Sequence, residues 1–278
     1  ILINLLLFLI IYFFTYSYTI FETFLPYLLL GSLLFYFFGL IDDIKDLNSN
    51  LKFIAEILII TLLVFLDKNI LIEKIYFQSL DLTITLGSYS YFFTVLSITI
   101  FLNALNMYDG INLQCGSYCL IVFLSLLFFS QQNILLICLI ISLISFLYLN
   151  YKSRLFLGDN GTYLLGFIIS YLVIYTAKSD NYYELSADKI LILMLFPGLD
   201  LIRLFVVRLI KKKHPFSPDR YHIHHILLKK VGFKKTIYFL ISLPLLANFL
   251  MYNFSNHLIL IIMTFIIIYI LSLYVYEK

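Results

Sequence analysis

The chain has 278 residues, of which 62% are hydrophobic and 13% are charged, and its net charge is +3. Soluble domains contain roughly 45–50% apolar and about 25% charged residues. This composition excludes a soluble globular domain and a disordered chain, and it indicates a multi-pass membrane protein. The small net charge, without a strip of basic and aromatic residues, also argues against nucleic acid as a partner.

Long apolar segments follow one another along the whole chain. A membrane-spanning helix needs about 20 mainly apolar residues, and these segments are continuously apolar, which favours helices over barrel strands. Between two of them, 67–88 alternates polar and apolar residues before Gly87 and predicts a small extracytoplasmic β-hairpin. We expect an all-α integral membrane protein with about ten transmembrane helices, forming one polytopic domain over 1–278. The predicted spans are 2–20, 24–41, 51–66, 89–105, 117–131, 133–150, 161–177, 189–209, 236–253 and 257–275.

The basic residues are divided unequally between the two sides that ten spans define. Most of the 19 Lys and Arg fall on one side, and the positive-inside rule assigns that side to the cytoplasm. Four polar clusters fall on this side as well, which points to chemistry at the cytoplasmic edge of the membrane. The clusters cover 42–52, 103–116, 151–162 and 200–235.

The first cluster contains two adjacent carboxylates, Asp42 and Asp43, at the end of a predicted helix. Such a pair repels unless it shares a cation, and it suits Mg²⁺, which prefers carboxylates together with substrate phosphates. One of the two could act as a base, and a solvated helix end is the simpler alternative. Lys52 could face a phosphate or anchor the next helix at the lipid headgroups.

The second cluster reads NALNMYDGINLQCG. Asn103 and Asn106 are three residues apart and share a helix face, and Asp109 with Gly110 ends that helix. These residues offer oxygens to a metal and an open backbone to a flat ligand. Asn112 could make the paired hydrogen bonds that a uracil edge needs. An ordinary capped polar turn is the alternative.

The third cluster places GDNG, residues 158–161, immediately before an apolar helix. Backbone amides at the start of a helix bind phosphate, and Asp159 would then act as a metal ligand. Phe156, three residues earlier, could stack on a base. The alternative is an ordinary turn with Asp or Asn as the helix cap.

The fourth cluster contains His222, His224 and His225, preceded by Arg220. The run resembles a zinc site, but no Cys lies nearby in the sequence. We expect the imidazoles to donate hydrogen bonds to a pyrophosphate or a sugar.

Two residues of opposite charge lie close together inside the predicted span 189–209. Asp200 and Arg203 are three residues apart and are expected to form an ion pair that lets both lie near the membrane. Alternatively, Arg203 or Arg208 could contact a phosphate.

The four clusters, in this order, resemble the motifs of the polyprenyl-phosphate N-acetylhexosamine-1-phosphate transferases, glycosyltransferase family 4. The matching motifs read GLIDD, NALNMYDGIN, FLGDNG and SPDRYHIHH, and the resemblance covers roughly 24–235. The histidine motif looks like the branch that uses UDP-GlcNAc or another UDP-HexNAc. It is less like the branch that uses UDP-MurNAc-pentapeptide.

The clusters and the resemblance together give three sets of candidate residues. The expected catalytic residues are Asp42, Asp43, Asp109, His222, His224 and His225. The expected metal ligands are Asp42, Asp43, Asn106, Asp109 and Asp159. The expected substrate contacts are Lys52, Asn103, Asn106, Gly110, Ile111, Asn112, Phe156 and Arg220, with Phe156 and 110–112 forming a uridine pocket.

The resemblance implies an Mg²⁺-dependent enzyme, with Mn²⁺ as a substitute, at the cytoplasmic face of the inner membrane. It would transfer HexNAc-1-phosphate, first of all GlcNAc-1-phosphate, from a UDP-sugar to undecaprenyl or another polyprenyl phosphate. UMP would be released in this first membrane step of a cell-envelope glycan. A homodimer is also compatible with this type of protein.

The chain departs from the family pattern in several places. The family's extra N-terminal helix and its Pro-Arg-x-Gly-Gly stretch are not found, so we expect the first helix to be missing. Asn112 and Leu113 stand where Asp and Gly are usual, and Thr162 replaces a Ser. Two alternatives therefore stay open. A transporter or lipid flippase would carry its charges near the bilayer midplane, and an inactive scaffold would keep the fold without the reaction.

Overall fold

The computed structural model describes residues 24–130, 133–178, 185–212 and 222–277. Within these ranges the chain forms ten α-helices and one two-stranded antiparallel hairpin. The helices are α1 (Leu25–Lys45), α2 (Ser49–Leu66), α3 (Ser90–Tyr108), α4 (Gln114–Leu126), α5 (Asn133–Tyr151), α6 (Gly158–Lys178), α7 (Ala187–Ile210), α8 (Ile223–Val231), α9 (Phe233–Asn253) and α10 (Leu258–Glu277). The strands are β1 (Lys74–Phe77) and β2 (Leu82–Thr85).

Eight of the described helices are long and apolar enough to cross a membrane, and α4 is a shorter apolar helix. The predicted all-α multi-pass fold is therefore confirmed. The predicted span 2–20 lies outside the described residues. The sequence analysis did not predict α8, which lies within the fourth cluster. This helix is short and amphipathic, and its polar residues were interpreted as part of a polar segment.

The helix boundaries correct the sequence prediction at the polar motifs. α1 continues to Lys45, so that Asp42 and Asp43 lie in its last turn. α6 begins at Gly158, and the GDNG sequence forms its first turn rather than a loop before it. The apolar pattern alone could not locate these ends, because the last turn of α1 and the first turn of α6 are polar.

α6 lies at the centre of the bundle and packs closely against α1. A Cβ atom added to Gly39 of α1 would lie 2.4 Å from the Cα atom of Asn160 in α6. One added to Gly31 would lie 2.1 Å from the ring of Phe167. Gly39 therefore lets the backbones of α1 and α6 approach each other, and Gly31 makes room for the ring of Phe167. This close packing brings the end of α1 to the start of α6.

The hairpin confirms the strand prediction made for 67–88. Its register pairs Lys74 with Thr85 and Phe77 with Leu82. The carboxylate of Asp188, at the start of α7, accepts hydrogen bonds of 2.7 Å from both the backbone amide and the hydroxyl of Ser79. The hairpin is thus fixed to the start of α7, whereas the histidine motif follows the end of that helix.

Candidate active site

Three charged side chains from the first and third motifs meet where α1 ends and α6 begins. The ammonium group of Lys52 lies 2.8 Å from Oδ2 of Asp42 and 3.5 Å from Oδ2 of Asp159. Asp42 is buried, and its Oδ1 accepts a hydrogen bond of 3.1 Å from the backbone amide of Leu47. Lys52 therefore faces two carboxylates of the motifs rather than anchoring α2 at the lipid headgroups.

Asp43 connects the same two motifs through the backbone. Its two carboxylate oxygens accept hydrogen bonds from the amides of Asp159 (2.8 Å) and Asn160 (3.2 Å). It therefore caps the start of α6, where the first amides of a helix have no partner within the helix. Gly158 has φ +66, and a Cβ atom there would lie 2.9 Å from Asp43, so glycine suits this position.

The second motif joins this group through Asn106 and Asp109. The amide nitrogen of Asn106 donates hydrogen bonds to Oδ1 of Asp159 (2.8 Å) and to the hydroxyl of Thr162 (3.0 Å). Burial, together with the negative charges of Asp159 and Asp43, raises the pKa of Asp109 to about 7. Carboxylates from three motifs therefore lie close enough to repel one another, which is an environment that a divalent cation would stabilise.

Glu56, which the sequence analysis missed, lies beneath this group. It follows Lys52 by four residues and so lies on the same face of α2. Its side chain is buried and accepts a hydrogen bond of 2.9 Å from the hydroxyl of Tyr163 and another from the amide nitrogen of Asn103. Asn103 also donates to the carbonyl of Thr99. The predicted contact of Asn103 with substrate stays a prediction. The sequence feature that could have identified Glu56 is that it is the only acidic residue in the apolar helix α2.

Asn150 was also not predicted from the sequence, and it connects the second and third motifs. Its side-chain oxygen accepts a hydrogen bond of 2.7 Å from the amide of Leu113, and its nitrogen donates to the carbonyl of Leu155 at 2.8 Å. The side chain of Asn112 donates to the hydroxyl of Ser153 at 3.0 Å. The turn after α3 and the loop before α6 are thus held together.

The predicted uridine contacts lie on and beside these two segments. Phe156 is 71% exposed and open to a ligand. Ile111 packs against the apolar cluster formed by α8, α9 and α10, which includes Ile223 and Leu227. Their roles in binding uridine stay predictions.

The fourth motif is organised around Asp200 in α7. Its carboxylate lies 3.0 Å from the guanidinium group of Arg203, which confirms the predicted ion pair. It also accepts a hydrogen bond of 2.8 Å from the hydroxyl of Tyr269 in α10, and it lies 2.8 Å from Nδ1 of His222. The ion pair is therefore part of a larger buried network that reaches the histidine motif.

His224 connects the histidine motif with the second motif. A Cβ atom added to Gly110 would lie 1.8 Å from Nε2 of His224, so the imidazole packs directly on this glycine. Burial, together with the neighbouring His222 and His225, lowers the pKa of His224 to about 3. This imidazole is therefore neutral near pH 7. Arg220 lies outside the described residues.

The sequence model of glycosyl transferase family 4 matches residues 25–177. The undecaprenyl-phosphate alpha-N-acetylglucosaminyl 1-phosphate transferase of Thermotoga maritima is 31% identical over 232 residues, which cover 83% of this chain and 71% of that protein. The chain belongs to glycosyl transferase family 4.

Two enterobacterial proteins with the same name are also similar to this family 4 chain. The one from Escherichia coli K12 is 28% identical and the one from Salmonella typhi is 27% identical. Both alignments cover 74% of this chain, and it spans 59% of the length of these relatives. The family model covers the first three motifs and ends before the histidines.

An apolar groove of about 570 Å³ runs from the hairpin of this family 4 protein along α3, α6 and α7. Its wall includes Ile75 in the hairpin, Ala104 in α3 and Ile202 in α7. Ala104 precedes Asp109 by five residues, and Ile202 follows Asp200 by two. The groove therefore extends from the hairpin towards the parts of α3 and α7 that carry residues of the polar motifs.

Proposed function

We propose that this protein transfers an N-acetylhexosamine 1-phosphate, most simply GlcNAc 1-phosphate, from a UDP-sugar to a polyprenyl phosphate. The observation that carries this proposal is the meeting of Asp42, Lys52, Asn106 and Asp159 from three separate motifs. The relatives named undecaprenyl-phosphate alpha-N-acetylglucosaminyl 1-phosphate transferases support the same donor and acceptor classes.

In the proposed reaction, an oxygen of the lipid phosphate attacks the β-phosphorus of the UDP-sugar. The bond from this phosphorus to the bridging oxygen breaks, and UMP leaves with that oxygen. Two anions must approach each other, so the main catalytic task is to neutralise charge. Lys52 supplies a cation between two motifs. The lipid phosphate is already largely ionised near neutral pH, so a general base such as Asp42 or Asp43 is the less important part of the proposal.

Mg²⁺, or Mn²⁺ in its place, fits the donor set of these motifs. Asp42, Asp109 and Asp159 would hold the ion with carboxylate oxygens, and Asn106 could add its side-chain oxygen. The raised pKa of Asp109 reflects crowding of like charges as well as burial. Both carboxylate oxygens of Asp43 accept hydrogen bonds from backbone amides at the start of α6. Asp43 would therefore be a weaker ligand of the ion than the other three carboxylates. Bound Mg²⁺ would supply charge neutralisation on the pyrophosphate.

The remaining contacts follow from the positions of the motifs. Exposed Phe156 could stack on the uracil ring, with Asn112 nearby on the adjoining turn. The apolar groove along α3 and α7 could hold the polyprenyl chain, because its wall includes Ala104 of α3, five residues before Asp109. We also propose that this end of the bundle faces the cytoplasm at the inner membrane, as the distribution of Lys and Arg favours.

The experiment is an assay of UMP release by the purified protein from UDP-GlcNAc, with and without undecaprenyl phosphate and Mg²⁺. We expect release that requires both. Asp159→Asn should abolish it, whereas Asp46→Asn should not. Asp46 is the matched control because its side chain is exposed. Its backbone has the left-handed conformation, with φ +48, which Asn tolerates.

Two results would contradict the proposal. Absence of UMP release with UDP-GlcNAc and other UDP-HexNAc donors, from folded protein, would favour the scaffold or the transporter. Wild-type activity in Asp159→Asn would contradict the assignment of Asp159 to the metal.

A further inference from the structure

Asp200 occupies the centre of a buried hydrogen-bond network that the reaction described above does not use. Its Oδ1 accepts hydrogen bonds from Arg203 (3.0 Å), from the hydroxyl of Tyr269 (2.8 Å) and from the amide of Ile223 (3.3 Å). Its Oδ2 lies 2.8 Å from Nδ1 of His222. The partners come from α7, α8 and α10, and the carboxylate is 2% exposed. Three helices thus hold this group in one orientation.

The network determines which ring nitrogen of His222 carries a proton. An ionised carboxylate only accepts hydrogen bonds, and the adjacent guanidinium of Arg203 favours the ionised form of Asp200. Nδ1 of His222 must therefore be the donor in its hydrogen bond to Oδ2. The hydrogen bond made by one ring nitrogen sets the protonation state of the other. In the neutral ring Nε2 is therefore unprotonated and can accept a hydrogen bond from a different group.

The position of His222 links this pair to the second motif. Its ring stacks on that of His224, with centroids 5.1 Å apart and an angle of 16° between the planes. His224 in turn packs on Gly110, the residue after Asp109. Contacts therefore run without a gap from Asp200 to the turn that carries one of the carboxylates of the candidate active site.

A metal ion is the competing explanation for this cluster. Ligand atoms of Asp200, His222 and His224 all lie within 4.8 Å of one another. However, the carboxylate already accepts hydrogen bonds from four groups, and a cation would compete with the guanidinium of Arg203 for the same oxygens. The hydrogen-bonded pair of Asp200 and His222 accounts for the geometry without displacing any partner.

We propose that Asp200 is a positioning residue, which fixes the proton of His222 on Nδ1 and leaves the unprotonated Nε2 as an acceptor for a hydroxyl or amide N–H group of the donor's sugar. Asp200 acts through His222 and does not itself touch the substrate. The contact with the donor rests on the proposed transferase function, whereas the position of the proton does not. Partners that orient metal-bound histidines typically contribute about 10–100-fold to activity, and we expect a loss in the same range for this metal-free pair.

The first test is nitrogen NMR of the protein with labelled histidine, with a His222→Gln variant to assign the signal. We expect the neutral ring of His222 to carry its proton on Nδ1 in the wild type and to lose this preference in Asp200→Asn. A proton on Nε2 in the wild type would overturn the proposal. This measurement decides the position of the proton even if the protein releases no UMP, a result that would count against the proposed function alone.

The second test is kinetic. Asp200→Asn should lower kcat for UMP release about 10–100-fold and change KM for UDP-GlcNAc less than about threefold. In a His222→Ala background the same change should add less than about threefold, since the effect passes through the imidazole. Asp188→Asn is the matched control, because Asp188 is equally buried in α7 but bonds to the hairpin.

Three kinetic results would overturn the proposal. They are a kcat within threefold of wild type in Asp200→Asn, an additive loss in the His222→Ala background, and a loss as large in Asp188→Asn. If Asp200→Asn does not fold, Asp200→Glu keeps the carboxylate and replaces it in both tests. For Asp200→Glu the expected result is different: the proton should stay on Nδ1 and more than about a tenth of the wild-type kcat should remain. A proton on Nε2 or a larger loss of kcat in this variant would overturn the proposal.

Discussion

The carboxylate of Asp43 accepts a hydrogen bond of 2.8 Å from the backbone amide of Asp159, 116 residues later in the chain. Its other oxygen accepts from the next amide, that of Asn160. The first and third motifs are thus joined in two ways, by this cap and by Lys52 between Asp42 and Asp159. The position of Asp159 in the candidate site therefore depends on Asp43 as well as on its own helix.

Replacement of Asp43 should separate its capping role from the role of its charge. Asp43→Ala removes the cap and should destabilise the protein by about 0.5–2 kcal/mol. Asp43→Asn keeps an oxygen that can cap and should lower the thermal midpoint much less, because Asn and Asp are comparable caps. If Asn also keeps most of the UMP release, the cap is the main contribution of Asp43. If it is stable but inactive, the charge is needed.

Glu56 should be important for stability because two donors depend on it. Glu56→Ala leaves the hydroxyl of Tyr163 and the amide of Asn103 buried without this acceptor, at a cost of about 1–3 kcal/mol for each. Glu56→Gln keeps an acceptor for Tyr163 and should be closer to wild type. Thermal unfolding in detergent measures the difference. Glu73→Ala is the control, because Glu73 is 56% exposed in its pair with Lys178 and should change stability by less than about 1 kcal/mol. Equal effects of Glu56→Ala and Glu73→Ala would contradict the network.

Much of this architecture could be predicted, because long apolar segments and their polar ends are strong signals. The hairpin, the spans within the described residues and the pair of Asp200 with Arg203 were predicted from the sequence. The cap formed by Asp43 could not be, since it depends on the contact of α1 with α6, which Gly39 permits. Local sequence contains no information about a partner that lies more than a hundred residues away.

The helix α8 shows a different limit of the sequence. It has only nine residues, and isolated helices of that length are marginal in water. Its stability comes from packing Ile223 and Leu227 against Leu240 and Tyr269 of later helices. The three histidines therefore suggested a site from their chemistry, but their attachment to Asp200 required the tertiary structure.

The pKa of Asp109 predicts how pH and Mg²⁺ act on stability. It rises from an ordinary value of 3.8 to about 7 on folding. The folded protein therefore binds this proton more tightly than the unfolded chain, and stability falls as pH rises from about 4 to about 7. The fall is at most about 1.4 kcal/mol per pH unit for one group. Without Mg²⁺, the thermal midpoint of Asp109→Asn should rise relative to wild type over this range.

Mg²⁺ should act in the opposite direction at the same residue. A metal ligand must be deprotonated, so Mg²⁺ should raise the thermal midpoint of the wild type more at pH 8 than at pH 6. Asp109→Asn should lose most of this difference. Titration of the metal at both pH values, starting from protein treated with a chelator, measures it. A stabilisation that is equal at both pH values, or unchanged in the variant, would contradict the place of Asp109 among the metal ligands.

Leu113 occupies the position where the family pattern usually has glycine, and its φ is +73. This left-handed conformation costs a non-glycine residue about 1–2 kcal/mol, and the extra freedom of glycine in the unfolded chain offsets about 0.5–1 kcal/mol. Leu113→Gly should therefore be more stable than Leu113→Ala by up to about 1.5 kcal/mol, although both variants lose the isobutyl group of leucine. At Leu124, inside α4, the order should reverse, because glycine is about 1 kcal/mol worse than alanine in a helix. Thermal midpoints of the four variants test both orders, and a lower midpoint for Leu113→Gly than for Leu113→Ala would show that this turn has a right-handed backbone.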